Sequence, residues 1–263
     1  MKNFYDVENL CSSYFFGAGE CWHLWTPENH EIIFSCEEDF KAAMLIIGVC
    51  SALVPGIKII TFELMTNHLH VTLAGNEESV NQFFKLFKKL LKRYLVANNR
   101  TISLGSFTCS YRRLTSLQDV RNVIVYNNRN GYVVSPQHNP YSYPWGANRY
   151  FFNPAARQYY RECGKRITFK ERREILHSHI ADNVNVIASL DGYACPLSFC
   201  DIGLGEHLFR GASHYFYELS RNVESQKTSP KRLEKDCIIP MRNYSRLLPQ
   251  YQKSNTRHLS LHC

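Results

Sequence analysis

The sequence predicts an α+β fold: a ferredoxin-like core with an antiparallel sheet and helices on one face, then a mostly helical C-terminal extension. Three observations carry that expectation. Apolar β-prone runs and helical periodicities alternate over residues 20–112 in the order strand, helix, strand, strand, helix, strand, the split β-α-β arrangement. Within residues 77–97, Val80, Phe83, Phe84, Phe87, Leu90, Leu91, Tyr94 and Leu95 form an apolar face wide enough to require a sheet beneath it. Residues 57–65 and 67–74 both read as strands, with Asn67 near the turn between them.

Taken in order, residues 20–26 read as a strand through Trp22, Leu24 and Trp25, and Pro27-Glu28-Asn29-His30 turns the chain. Ile32-Ile33-Phe34 is expected to extend the sheet edge, and Phe40, Met44 and Ile47 set a helical period over 37–53. A short strand at 106–112 leads to a helix from Leu117, whose stripe is Leu117, Val120 and Ile124. Ser116 suits its N-cap, Asp119 suits the positive end of its dipole, and Gly131 suits a C-terminal stop. Residues 169–190 read as helical, Gly192 to Pro196 break the chain, and 211–220 fit another helix. From 226 onward the chain is polar, basic and weakly periodic, which suits a loosely ordered tail. The expected domains are 1–160 and 161–263.

A chain of 263 residues has ample core. Its longest apolar run, 42–54, is too short to span a bilayer and meets Pro55-Gly56 at once. The N-terminal residues lack a basic-then-apolar export pattern, so a cytoplasmic protein without a membrane partner is expected. Ten cysteines include no Cys-x-x-Cys, and Cys195 and Cys200 are separated by four residues. Reduced, mostly buried thiols fit that pattern better than structural zinc. A net charge of +8 suits a polyanionic partner.

Two segments carry chemistry. In Met65-Thr66-Asn67-His68-Leu69-His70-Val71, strand geometry puts His68 and His70 on one face while Leu69 faces a core. Two adjacent imidazoles are a half-site for a divalent metal, or two strand histidines with no shared task. On the later helix, Tyr126 and Asn130 are four apart and share a face. Tyr126 offers a phenolic nucleophile and Asn130 an amide oxygen for a metal, or they are a packing tyrosine and a capping amide.

Two further regions suit nucleic acid. Lys85, Lys88, Lys89 and Lys92, with Arg93, back the apolar face of the long helix, and no acid interleaves with them. They are either a solvated face or phosphate contacts, since ion pairing within the helix cannot be their purpose. Residues 141–160 mix aromatics with basic residues and could stack bases or form a loop anchored over the core. There Trp145 suits packing, while Arg149 and Arg157 are contact candidates. His177 and His179, two apart on an expected helix, diverge and read as surface.

Taken together, residues 20–152 resemble the HUH-type single-tyrosine transposases, most closely the REP-associated tyrosine transposase branch. That branch has a Met-Pro-Asn-His-hydrophobic-His strand, matched by Met65 to His70 with Thr66 in place of proline. Its Tyr helix with Asn four residues on is matched by Tyr126 and Asn130, although Asn130 is followed by Gly131 where the family has proline. A Tyr-Pro-Trp stretch is matched by Tyr143-Pro144-Trp145. The resemblance implies transesterification on single-stranded, hairpin-bearing DNA. Tyr126 would be the nucleophile, and His68, His70 and Asn130 would hold Mg²⁺ or Mn²⁺. The alternative is a non-catalytic or domesticated single-strand-binding protein. A metal-dependent hydrolase ranks behind both, because no further Asp, Glu or His cluster stands out. The oligomeric state, monomer or dimer, is left open.

Overall fold

Apolar alternation and a tight turn build the centre of the fold. The computed structural model describes residues 4–27, 31–102, 104–133 and 142–227. β2 (Lys58–Leu64) and β3 (Leu69–Ala74) form an antiparallel hairpin closed by Met65 N–H donating to His68 O at 2.9 Å. β1 (Cys21–Trp25) pairs antiparallel with β3 on one side and with β4 (Ser110–Leu114) on the other. The order β2-β3-β1-β4, with helices between β1 and β2 and between β3 and β4, is the ferredoxin-like arrangement.

Those two helices are α2 (Glu37–Leu53) and α3 (Glu77–Ala97). Acidic first turns favour both starts, and α3 is capped by Asn76, whose side chain accepts from Ser79 N–H at 2.8 Å. They pack on each other and on the sheet face that carries Leu24, Phe62, Leu69, Val71 and Leu73, all fully buried. Tyr111 marks that face: it lies opposite Leu24, and its hydroxyl reaches Glu77 and Asn81 on α3. Trp145 is buried and stacks on Phe40, the packing role its sequence suggested.

α4 (Leu117–Val133) lies across the opposite face. Ser116 caps it, accepting from Asp119 N–H at 3.1 Å. The helix is also tied down near its start. Arg121, fully buried, donates to both carboxylate oxygens of Glu8 on α1 (Phe4–Gly17) and to Leu208 O.

Several local expectations are corrected. Ile32 to Phe34 form no strand; instead the N–H groups of Ile33 and Phe34 both donate to Thr66 O and clamp the β2–β3 turn. The expected helix over 169–190 stops as α6 (Phe169–Leu176), and a strand, β6 (Ala188–Leu190), follows. His177 closes that helix in the left-handed region at φ 48°, while the buried Arg172 guanidinium donates to Ile167 O, Ala181 O and Asp182 O. β6 sits between β5 (Lys165–Arg166) and β7 (Tyr193–Ala194) in a small second sheet. The remaining helices are α5 (Pro154–Cys163), α7 (Ile202–His207) and α8 (Ala212–Lys227), the last covering the helix expected over 211–220. Met1–Glu224 forms one compact unit. The expected tail lies, beyond Lys227, outside the described residues. No described helix is long and apolar enough to cross a membrane.

Candidate functional site

Strand register decides which side chains meet. Glu63 and Trp25 flank His70, while Thr72 and Arg112 flank His23. Cross-strand partners share a face, so Thr61, Glu63, His70, Thr72, His23 and Arg112 form one polar surface under α4. The helix meets it with amides. Asn127 Nδ2 donates to Thr72 Oγ1 at 2.8 Å, and Asn128 Oδ1 accepts from Thr61. Asn128 Nδ2 then donates to the Tyr215 hydroxyl at 2.8 Å, and that hydroxyl donates to Asn148 Oδ1 at 2.6 Å. Each buried polar group in this second chain has a partner, which is what makes a polar layer tolerable between sheet and helix.

α4 places Tyr126 over the histidines. Its ring stands edge-on to His70, with centroids 5.2 Å apart, and lies 6.1 Å from His23. His68, just before β3, meets His70 at 5.0 Å between ring centroids. The sequence-derived trio of His68, His70 and Tyr126 is therefore gathered at one place. Asn130 is half-buried one turn beyond Tyr126, next to Gly131.

The site also contains groups that spacing alone does not reveal. His23 Nε2 lies 3.3 Å from His70 Nδ1, and Trp25 stacks on His23. Arg129 is buried, with its guanidinium 5.8 Å from the Tyr126 ring centroid. Arg112 makes a bidentate pair with Asp119 at 2.8 and 2.9 Å on the same side of the sheet. The available signal was polar residues at alternate positions of otherwise apolar strands: His23 among Trp22, Leu24 and Trp25, and Thr61 and Glu63 among Ile60, Phe62 and Leu64.

Burial sets the charge state of the site. Desolvation pulls His68 down to about 4. It does the same to His23, also to about 4, with the Arg112 charge adding to it and the Asn127 side chain opposing it. His70 is held well below its ordinary value by desolvation and by the other two histidines. All three are neutral at pH 7, the form in which an imidazole binds a metal. Among the described residues no three His, Cys, Asp or Glu side chains are grouped to hold an ion. Two neutral imidazoles, His68 and His70, are the donors that the ring contacts bring together here, a half-site for a divalent ion.

Gly131 is not the helix stop that its sequence position suggested; α4 continues to Val133. Its N–H donates to Glu63 Oε1, and a Cβ there would overlap both that oxygen and the Tyr143 ring. Glu63 is fully buried, and its Oε2 has no hydrogen-bond partner among the described residues. Desolvation raises its pKa well above the usual carboxylate range, against the pull of the Gly131 N–H. A raised folded pKa contributes stability below the unfolded value of 4.5 and loses it as pH rises. Glu63→Gln keeps an acceptor and removes the titration. We expect denaturation midpoints of variant and wild type to coincide near pH 4 and to diverge above it, with the variant ahead by about 1 kcal/mol per pH unit.

The basic candidates are not gathered at the site. Lys85, Lys89 and Lys92 are exposed, Lys88 is half-exposed, and none forms an ion pair among the described residues. They lie on α3, across the sheet from Tyr126. Arg149 and Arg157 are already paired, with Asp191 at 3.7 Å and Glu206 at 2.6 Å.

No protein-family model, curated protein or solved structure matches the chain.

Proposed function

We propose that the chain is a single-stranded DNA nuclease and strand transferase of the single-tyrosine type, with Tyr126 as nucleophile. The supporting observation is the Tyr126 ring held 5.2 Å from His70 beside a second neutral imidazole, His68. In the forward step the Tyr126 Oη bonds to phosphorus and the P–O3′ bond breaks. The 5′-phosphate stays on the tyrosine, and the 3′-oxygen leaves with a proton as a free hydroxyl. Attack by another 3′-hydroxyl reverses the step and joins a new strand.

A free tyrosine of pKa about 10 is mostly protonated at neutral pH, so charge stabilisation is needed. The Arg129 guanidinium beside the ring favours both phenolate and phosphate. A divalent ion, Mg²⁺ or Mn²⁺, on His68, His70 and Asn130 would polarise the phosphate when bound. The protein itself holds these ligands neutral and positions the tyrosine against them.

The test is cleavage of hairpin-flanked single strands. His68→Ala and His70→Ala should each lower the rate by a factor of about 100 or more, and excess chelator should do the same to the wild type. Full cleavage in chelator overturns the metal assignment. Binding without any cleavage would favour a binding module instead.

Any lysine contact is made by a part of the strand away from the scissile phosphate, because α3 lies on the other layer. Neutralising Lys85, Lys88, Lys89 and Lys92 should weaken binding to all sequences alike. It should also flatten the log–log salt dependence by about one unit per lost contact. Cleavage at saturating DNA should not change, and a fall in that rate would place these lysines in the chemistry.

A further inference from the structure

We propose that His23 is a positioning residue: with Asn127 behind it, it fixes the ring tautomer of His70 so that the Nε2 of His70 presents a lone pair to the site. The contact between His23 Nε2 and His70 Nδ1, at 3.3 Å and buried, has room for one proton. If His23 donates, His70 carries its proton on Nε2 and cannot bind a metal there. If His70 donates, its Nε2 is free. The choice is made on the far side of His23.

Asn127 spends its amide NH₂ on Thr72 Oγ1 at 2.8 Å, which leaves its oxygen for the other direction. That oxygen is buried and has no hydrogen-bond partner at full geometry among the described residues, and the Asn127 side chain acts on His23 in the direction that favours a ring proton. An amide oxygen can only accept. The His23 nitrogen not engaged with His70 is Nδ1, so the proton of His23 resides there. His23 Nε2 is then the acceptor, and His70 Nδ1–H the donor. Donation runs one way from His70 to His23 to Asn127 to Thr72, an arrangement in which each bond polarises the next. His68 reaches the same state by a shorter route: its Nδ1 lies 2.7 Å from Asn67 Oδ1, so its Nε2 also carries the lone pair. Both histidines thus offer the same nitrogen, oriented by a partner on the other one, as outer-shell groups do in metal sites.

The consequence for metal binding rests on the proposed function; the tautomers do not. Long-range ¹H–¹⁵N correlation spectra of the metal-free, ¹⁵N-histidine-labelled protein at pH 7 should show protonated Nδ1 and unprotonated Nε2 for His23, His68 and His70. A protonated Nε2 on His70 overturns the proposal, whatever Tyr126 does. Titration with Mn²⁺ alone gives the second readout. His23→Phe, which keeps a ring but no acceptor, should weaken binding about 10–100-fold and mix the His70 tautomers. His23→Gln, whose amide oxygen can accept from His70, should recover much of that loss. Equal Mn²⁺ affinity in wild type and His23→Phe also overturns it. If the tautomers are as stated but no covalent DNA adduct forms, the nuclease reading fails and this one stands.

Discussion

Tyr126→Phe should abolish the denaturation-resistant protein–DNA adduct while leaving fold and DNA binding nearly unchanged. The substitution removes one oxygen from a half-buried ring and keeps the edge-on contacts with His70 and His23 that seat it. Tyr126 is the hydroxyl that the described ring contacts bring to the histidines, and its neighbours Asn127, Asn128 and Asn130 are amides and Arg129 a cation. The measurement is a gel of labelled single-stranded DNA after denaturation, with binding followed separately by anisotropy. An adduct that survives in Tyr126→Phe would remove Tyr126 from the mechanism.

Gly131→Ala should be the most damaging small substitution in the site. Helix propensity alone predicts a gain of about 1 kcal/mol, since glycine in a helix interior is costly relative to alanine. Packing predicts the reverse. The added methyl would overlap the Glu63 carboxylate oxygen and the Tyr143 ring, and overpacking a rigid interior costs about 1–3 kcal/mol or more. Neither neighbour moves cheaply. Glu63 is fully buried, and the Tyr143 hydroxyl donates to Leu64 O at 2.6 Å. A net loss of about 2 kcal/mol in denaturant unfolding is expected. It should come with a shift of the α4 C-terminal turn that also lowers cleavage. A neutral or stabilised variant would mean that the helix adjusts at this point without strain.

Much of this architecture was legible because local and global signals agree. α2 and α3 have the bounds that their periodicities give, since acidic first turns and a Pro55-Gly56 break coincide with the apolar faces. Spacing alone put His68 with His70 on one strand face and Tyr126 with Asn130 on one helix face, and the family resemblance joined the two pairs. The misses have a different cause. His23, Glu63 and Asn127 join the site through strand register and helix docking, and both are contacts distant in sequence. Residues 177–187 looked helical, but the carbonyls of Ile167, Ala181 and Asp182 converge on Arg172, a tertiary bond set that outweighs local propensity. Gly131 looked like a stop because glycine usually ends helices, and here it is needed for a close approach instead.

The two faces of the central sheet imply two kinds of tolerance to change along the same strands. Leu24, Phe62, Val71 and Leu73 face a dry core, where one aliphatic side chain can replace another if volume is kept. His23, Glu63, His70 and Thr72 alternate with them under α4, in a layer held by specific hydrogen-bonding contacts. Shape is interchangeable there only when hydrogen-bonding polarity is kept as well. A saturation scan of β1, β2 and β3 would therefore oscillate with a period of two residues. Positions permissive to many hydrophobic residues would alternate with positions that accept almost none, and a drifting sequence would keep the second set fixed while the first set wandered.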